Sequence, residues 1–298
     1  MILDSYSQVI EKHFHHGEIH SLTPNDEGWS SFVVDINGEY IFRFPRREEI
    51  RQAQAKEIRL LPELGKVLSF PIPVFDYIFN LENLPECVVG YRKIMGVPLS
   101  KNIAGMPEIP RQLGKFLTDL HLFPIEYARQ LGVPGATCGD WVEKYTILYT
   151  WLKENVFPLL GDPARNRWAQ VWENFLVDQA TTQFQPILIH GDLAGEHILC
   201  DPDLKIICGI IDWEDSCIGD PALDFVGLLW VGGQDFVERV LQNYKIEWGD
   251  NFWSRLHFYA EIAPFYEIQY GLFTGNEFHL KQGLSIIDIG FTNNGDYV

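Results

Sequence analysis

Aromatic and β-branched residues crowd into two short runs near the start of the chain, Phe32-Val33-Val34-Asp35-Ile36 and Tyr40-Ile41-Phe42-Arg43-Phe44, which flank Asn37-Gly38. Asn-Gly between two such runs predicts a β-hairpin, because a tight turn needs positive φ at both central positions. Residues 4–17 ahead of the hairpin have the spacing of a short amphipathic helix. Behind it, the charged segment 46–64 places Ala53, Leu60, Leu61 and Leu64 at near-helical spacing, between Pro45 and Gly65 as start and stop signals. Pro71-Ile72-Pro73 marks a turn, 74–79 and 87–91 read as strands, and 94–98 as a connector.

From there the period changes. Leu113, Phe116, Leu117 and Leu120 share one face of a helix over 109–122, and 141–160 and 168–179 repeat the pattern. Residues 225–287 return to helices with aromatic stripes. Only 186–211 interrupts this: short apolar runs end in the polar groups His190-Gly191-Asp192 and Asp212, as buried strands do when they deliver side chains to a cleft. A β-rich beginning followed by a helical remainder predicts an α+β protein.

The chain has 298 residues, 46% of them hydrophobic, enough for a large core in one or two domains. Its formal charge of -18 opposes nucleic acid and would concentrate a small cation. The five cysteines are scattered with no CxxC pair, no signal peptide opens the sequence, and no stretch reaches membrane-spanning length. These features predict a cytoplasmic protein with a small-molecule ligand and neither a nucleic-acid nor a membrane partner. His13, His15, His16 and His20 read as a solvated face rather than a metal tract.

The chemistry is concentrated in His190-Gly191-Asp192-Leu193-Ala194-Gly195-Glu196-His197-Ile198-Leu199 and in Ile210-Ile211-Asp212-Trp213. Asp192 and Asp212 each stand beside an apolar run, the way a fold brings two carboxylates into one pocket. These motifs resemble the aminoglycoside phosphotransferase family of small-molecule kinases, which includes aminoglycoside 2''- and macrolide 2'-phosphotransferases. Ile41-Phe42-Arg43-Phe44-Pro45-Arg46, Gly96-Val97-Pro98-Leu99, Leu117 to His121, and Asp220-Pro221 with Asp224-Phe225 extend the resemblance over essentially the whole chain.

The resemblance implies a bilobal protein-kinase-like fold: a nucleotide-binding lobe over 1–93, a hinge and connector over 94–99, and a helical lobe over 100–298. It implies ATP or GTP as phosphoryl donor, Mg²⁺ as cofactor, and a monomer or weak dimer. Phosphoryl transfer has a loose transition state, so the protein supplies alignment and charge compensation. Asp192 is the candidate that orients the acceptor hydroxyl and takes its proton.

Asp212 suits Mg²⁺, which prefers hard oxygen ligands. His197 stands where the family more often has Asn, as a candidate metal ligand or a loop-orienting histidine. Arg43 replaces the usual lysine as a phosphate contact, with Glu57 as its partner and Glu48 and Glu49 as rivals. Ser30, in the loop 25–31, could approach the nucleotide, and the backbone of Arg92, Lys93 and Ile94 should pair with the purine edge. Asp224 is expected to hold the catalytic-loop backbone, and Asp215 either touches metal-bound water or caps a turn.

Glu261 and Glu267 lie among aromatic residues that suit ammonium groups, although such stripes also suit a core. A cationic antibiotic is therefore the expected substrate, aminoglycoside ahead of macrolide. A kinase of a small hydroxylated metabolite and a catalytically silent nucleotide-binding module are the alternatives.

Overall fold

The computed structural model describes residues 2–25, 30–80, 87–100, 106–135, 137–178, 182–201 and 205–289. Five antiparallel strands, β1 (Leu22–Asn25), β2 (Ser31–Ile36), β3 (Tyr40–Pro45), β4 (Phe75–Asn80) and β5 (Cys87–Arg92), form one sheet in the order β1-β2-β3-β5-β4. The β2–β3 hairpin turns at Asn37 and Gly38, with φ of 57° and 72°. Asn37 also holds the incoming chain, accepting from the amides of His20 and Ser21 (2.8 and 2.9 Å) and donating to the Glu18 carbonyl (2.8 Å).

Helix α1 (Ile2–His13) ends four residues earlier than its amphipathic pattern suggests. Ile10 and the following Phe14 pack with Phe32, Val34, Phe42, Phe44 and Tyr77 of the sheet in a small apolar core. Helix α2 (Glu48–Leu64) lies beside β3 and β5, and its Leu60, Leu61 and Leu64 belong to the large core of the helical region.

That region contains α3 (Glu108–His121), α4 (Ile125–Gln130), α5 (Cys138–Asn155), α6 (Asp162–Val177), α7 (Val226–Leu241), α8 (Phe252–Thr274) and α9 (Glu277–Ile289). The start of α5 is set by a capping box: the Thr137 hydroxyl accepts from the Asp140 amide and the Asp140 carboxylate accepts from the Thr137 amide. The helix ends at Asn155 rather than at 160, because Phe157-Pro158-Leu159 closes into a 3₁₀ turn. Helix α6 begins at Asp162, ahead of the expected 168, with Pro163 in its first turn. Close packing of α8 on α9 relies on Gly271 and Gly283, where a Cβ would run into Leu280 and Ile268.

Two small ladders frame the site. β7 (Ile187–Ile189) pairs with β10 (Cys217–Gly219), and β6 (Val97–Pro98), β8 (Ile198–Cys200) and β9 (Ile207–Ile210) form a three-stranded sheet. The connector thus ends as a strand, β6, that pairs with β8 directly after His197.

Candidate active site

The chain leaves β7 through His190-Gly191-Asp192. The Asp224 carboxylate accepts from the amides of His190 and Gly191 (2.8 Å each) and from His121 Nε2 (3.1 Å), so one buried acid fixes the loop backbone. This is the role expected for Asp224. His121 is fixed in turn by the Tyr244 hydroxyl (2.7 Å). His190 is fully buried against Trp213, and burial pushes its imidazole down to about 4 despite the nearby Asp224 carboxylate. Gly191 has φ of 87°, and a Cβ there would collide with the Asp215 carbonyl.

These restraints leave the Asp192 side chain half exposed (52%) on the cleft floor. Burial of the site pushes its carboxyl up to about 6; His197 opposes the shift, whereas Asp215, Asp212 and Glu196 reinforce it. A 3₁₀ turn, Gly195–His197, then brings His197 back over the loop. Its Nδ1 lies 2.7 Å from the Asp192 carbonyl, and its Nε2 3.5 Å from Asp212 Oδ2. Burial disfavours the imidazolium, but Asp212 and Asp192 together hold the His197 pKa above the ordinary value.

Asp212 follows β9 with φ of 67°, a conformation uncommon for a non-glycine residue and associated with functional sites. His197 Nε2 and Asp212 Oδ2 therefore converge on one point of the cleft. Among the described residues no group of three or more His, Cys, Asp or Glu side chains forms a metal cage. A carboxylate with one imidazole fits an ion that takes its remaining ligands from phosphate and water, as Mg²⁺ does.

Arg43, on β3, is almost completely buried and forks onto Glu57 of α2, with Nη1 to Oε2 at 2.8 Å and Nη2 to Oε1 at 3.2 Å. The structure thus selects Glu57 over Glu48, which pairs with Arg51. A second carboxylate, Glu214, reaches Arg43 Nη2 at 3.0 Å. Burial and Asp212 push Glu214 up to about 7, with Arg43 and the Ser30 hydroxyl offsetting part of the shift. Ser30 itself donates to Glu214, and residues 26–29 of its loop lie outside the described residues.

Arg92 ends β5, and the Lys93 amide donates to the Glu39 carbonyl (2.7 Å) while its ammonium pairs with Asp35. The Lys93 N–H is therefore taken. Ile94 packs over Gly209 of β9, where a Cβ would meet its side chain.

On the far side of Asp192 opens a cavity of about 760 Å³ lined by Asp192, Glu196, Asp215, Trp230, Tyr266 and Glu267, among others. Tyr259, Ala263, Tyr266 and Tyr270 recur along α8 at helical spacing and face it. Glu267 lies beside that stripe and hydrogen-bonds His279. Glu261 is not among the lining residues: it sits two positions from both Tyr259 and Ala263, which turns it to the opposite side of the helix, near Arg167.

Several participants escaped the motif reading. Glu214 belongs to the same Asp212-Trp213-Glu214 run, and Lys56 adjoins Glu57, but only the approach of the two lobes shows what they touch. Lys144 of α5 enters the acidic cavity with its ammonium 4.9 Å from the Trp141 ring.

A β-rich lobe against a helical one, with a loop carboxylate and a second acid at the junction, is the architecture of a kinase-like phosphotransferase. Residues 21–259 match the family model APH, the phosphotransferase enzyme family, and the chain belongs to that family. Viomycin phosphotransferase of Streptomyces vinaceus is 28% identical over 202 residues, 65% of this chain and 67% of that protein. The GDP and kanamycin complex of APH(2")-IIia matches with a TM-score of 0.86 at 27% identity, covering 95% of this chain and 97% of that one. Macrolide 2'-phosphotransferase type I, with a TM-score of 0.77 and 20% identity over 95% of both chains, shares the fold. The protein is thus a small-molecule kinase of the antibiotic phosphotransferase type.

Proposed function

We propose that this enzyme transfers the γ-phosphoryl group of a purine nucleoside triphosphate to a hydroxyl of a cationic antibiotic, with an aminoglycoside as first candidate. The observation that carries the proposal is the Asp192 carboxylate on the floor of a cavity walled by Glu196, Glu267 and the aromatic rings of α8. Carboxylates beside aromatic faces suit ammonium groups. The kanamycin bound to the relative at 27% identity supports an aminoglycoside, and the GDP in the same complex supports GTP as a donor beside ATP.

In the reaction, Asp192 accepts a hydrogen bond from the acceptor hydroxyl, aims its oxygen at the γ-phosphorus, and takes the proton as the new O–P bond forms and the bond from the γ-phosphorus to the β–γ bridging oxygen breaks, releasing the nucleoside diphosphate. Asp224 holds the loop so that Asp192 does not turn away. Asp212 and His197 are the residues that would hold Mg²⁺, which when bound neutralises charge on the β- and γ-phosphates. Arg43 is almost completely buried on Glu57 and Glu214 and would contact phosphate where the nucleotide takes the place of Glu214, and the hinge at Ile94 faces the purine. The protein works in the cytoplasm, where nucleoside triphosphates are available, as a monomer or weak dimer.

The test is nucleotide turnover with ATP and with GTP across aminoglycosides, macrolides and small amino alcohols. Turnover that depends on an aminoglycoside supports the proposal. Turnover with amino alcohols alone transfers the enzyme to metabolite phosphorylation, and nucleotide binding without any turnover refutes a kinase role.

A further inference from the structure

Lys56 is a buried lysine (4% exposed) that the chemistry above does not use. Its ammonium leaves α2 and donates to two main-chain carbonyls of the loop behind Asp212, that of Glu214 at 2.6 Å and that of Ser216 at 2.7 Å. The carboxylates of Glu57, Asp215 and Glu214 surround it and offset part of the cost of burying the charge. The carbonyl between the two it grips, that of Asp215, is the one that fills the space a side chain at position 191 would need. Gly191 immediately precedes Asp192 and has φ of 87°.

We infer that Lys56 is a positioning residue: it clamps the 214–216 backbone so that the Asp215 carbonyl supports Gly191 and holds Asp192 in its working orientation. The next residue on the same helix, Glu57, fixes Arg43 on the sheet. One turn of α2 therefore sets both the phosphate-side arginine and the acceptor-side aspartate. A displacement of α2 misaligns the two halves of the site together. The inference rests on the phosphotransfer reading for the role of Asp192, but the coupling of Lys56 to the loop is a property of the fold and is measurable without any acceptor.

The experiment compares Lys56→Met, which keeps the apolar stem and removes the donors, with Lys56→Arg, which restores donors, and with Lys66→Met as an exposed control. In hydrogen exchange of the whole protein, Lys56→Met should speed exchange in 190–192 and 213–217 by about tenfold or more while α3 and α8 are unchanged. With an acceptor, kcat should fall by ~10²-fold, the loss typical of a reacting group displaced by about 1 Å, while the acceptor KM stays within about threefold. Lys56→Arg should recover a substantial part of kcat.

Unchanged exchange in 190–192 overturns the inference whether or not any compound is phosphorylated, and so does faster exchange spread evenly over the molecule. If no acceptor turns over but the local exchange response is seen, the phosphotransfer reading fails and the clamp stands. Should Lys56→Met fail to fold, Lys56→Gln keeps an uncharged NH₂ one atom short of the lysine nitrogen's position, and the same local pattern is required of it.

Discussion

Asp192 and Asp224 illustrate how two carboxylates on neighbouring turns take opposite duties. Asp192 is half exposed, its carboxylate reaches only as far as His197 Nδ1 at 3.5 Å, and its raised pKa makes the ionised form a cost to the fold, so Asp192→Asn should not lower the melting temperature while acceptor-dependent turnover falls by about 10²–10⁴-fold. Asp224→Ala removes the acceptor of two buried amides and a histidine, and denaturant unfolding should show a loss of about 3 kcal/mol or more.

His190 supplies a pH signature. Its imidazole titrates near 4 when folded against about 6.5 when unfolded, so between those values the unfolded chain binds the extra proton. Stability should then fall as pH drops from about 6.5 towards 4, by about 1 kcal/mol per unit, and His190→Asn should flatten that slope in unfolding titrations. At this scale the sequence displayed Asp192, His197 and Asp212 because each sits in a contiguous motif. Glu214 and Lys56 stayed hidden because their partners come from distant parts of the chain. Glu261 was a different kind of miss, since counting residues from Tyr259 already turns it away from the aromatic stripe.

Among elements, the hairpin was legible because Asn37-Gly38 is a local instruction, needing no knowledge of the rest of the molecule. The ladder of β10 on β7 was not: three-residue strands carry too little pattern, and their pairing depends on the whole helical lobe closing around them. Helix bounds moved wherever a cap or a proline outweighed apolar spacing, as at both ends of α5. Thr137→Ala should cost about 1 kcal/mol by loss of the cap, read as a lower melting temperature, with the acceptor KM unchanged because the hydroxyl lies outside the cavity.

For the molecule as a whole, the formal charge of -18 would act on encounter with a cationic substrate rather than on the bond-making step. The KM for a polycationic acceptor should therefore rise several-fold between low salt and about 0.5 M, where the Debye length drops to a few ångströms, with kcat little changed. A KM indifferent to salt would restrict recognition to contacts inside the cavity.

The placement of α2 also has a consequence for how such enzymes can be recombined. Its Leu60, Leu61 and Leu64 are embedded in the apolar core of the helical lobe, whereas the sheet and α1 keep a small core of their own. Helix α2 is therefore shared: its flank lies beside β3 and β5 while its last turns enter the core of the helical region. A chimaera spliced at the hinge would import an α2 shaped for another protein's helices, and its misfit would be felt at Arg43 and Asp192 alike. Grafts confined to α8 and α9 would instead exchange one wall of the cavity beside Asp192 and leave Arg43, Glu57 and Lys56 on their original supports.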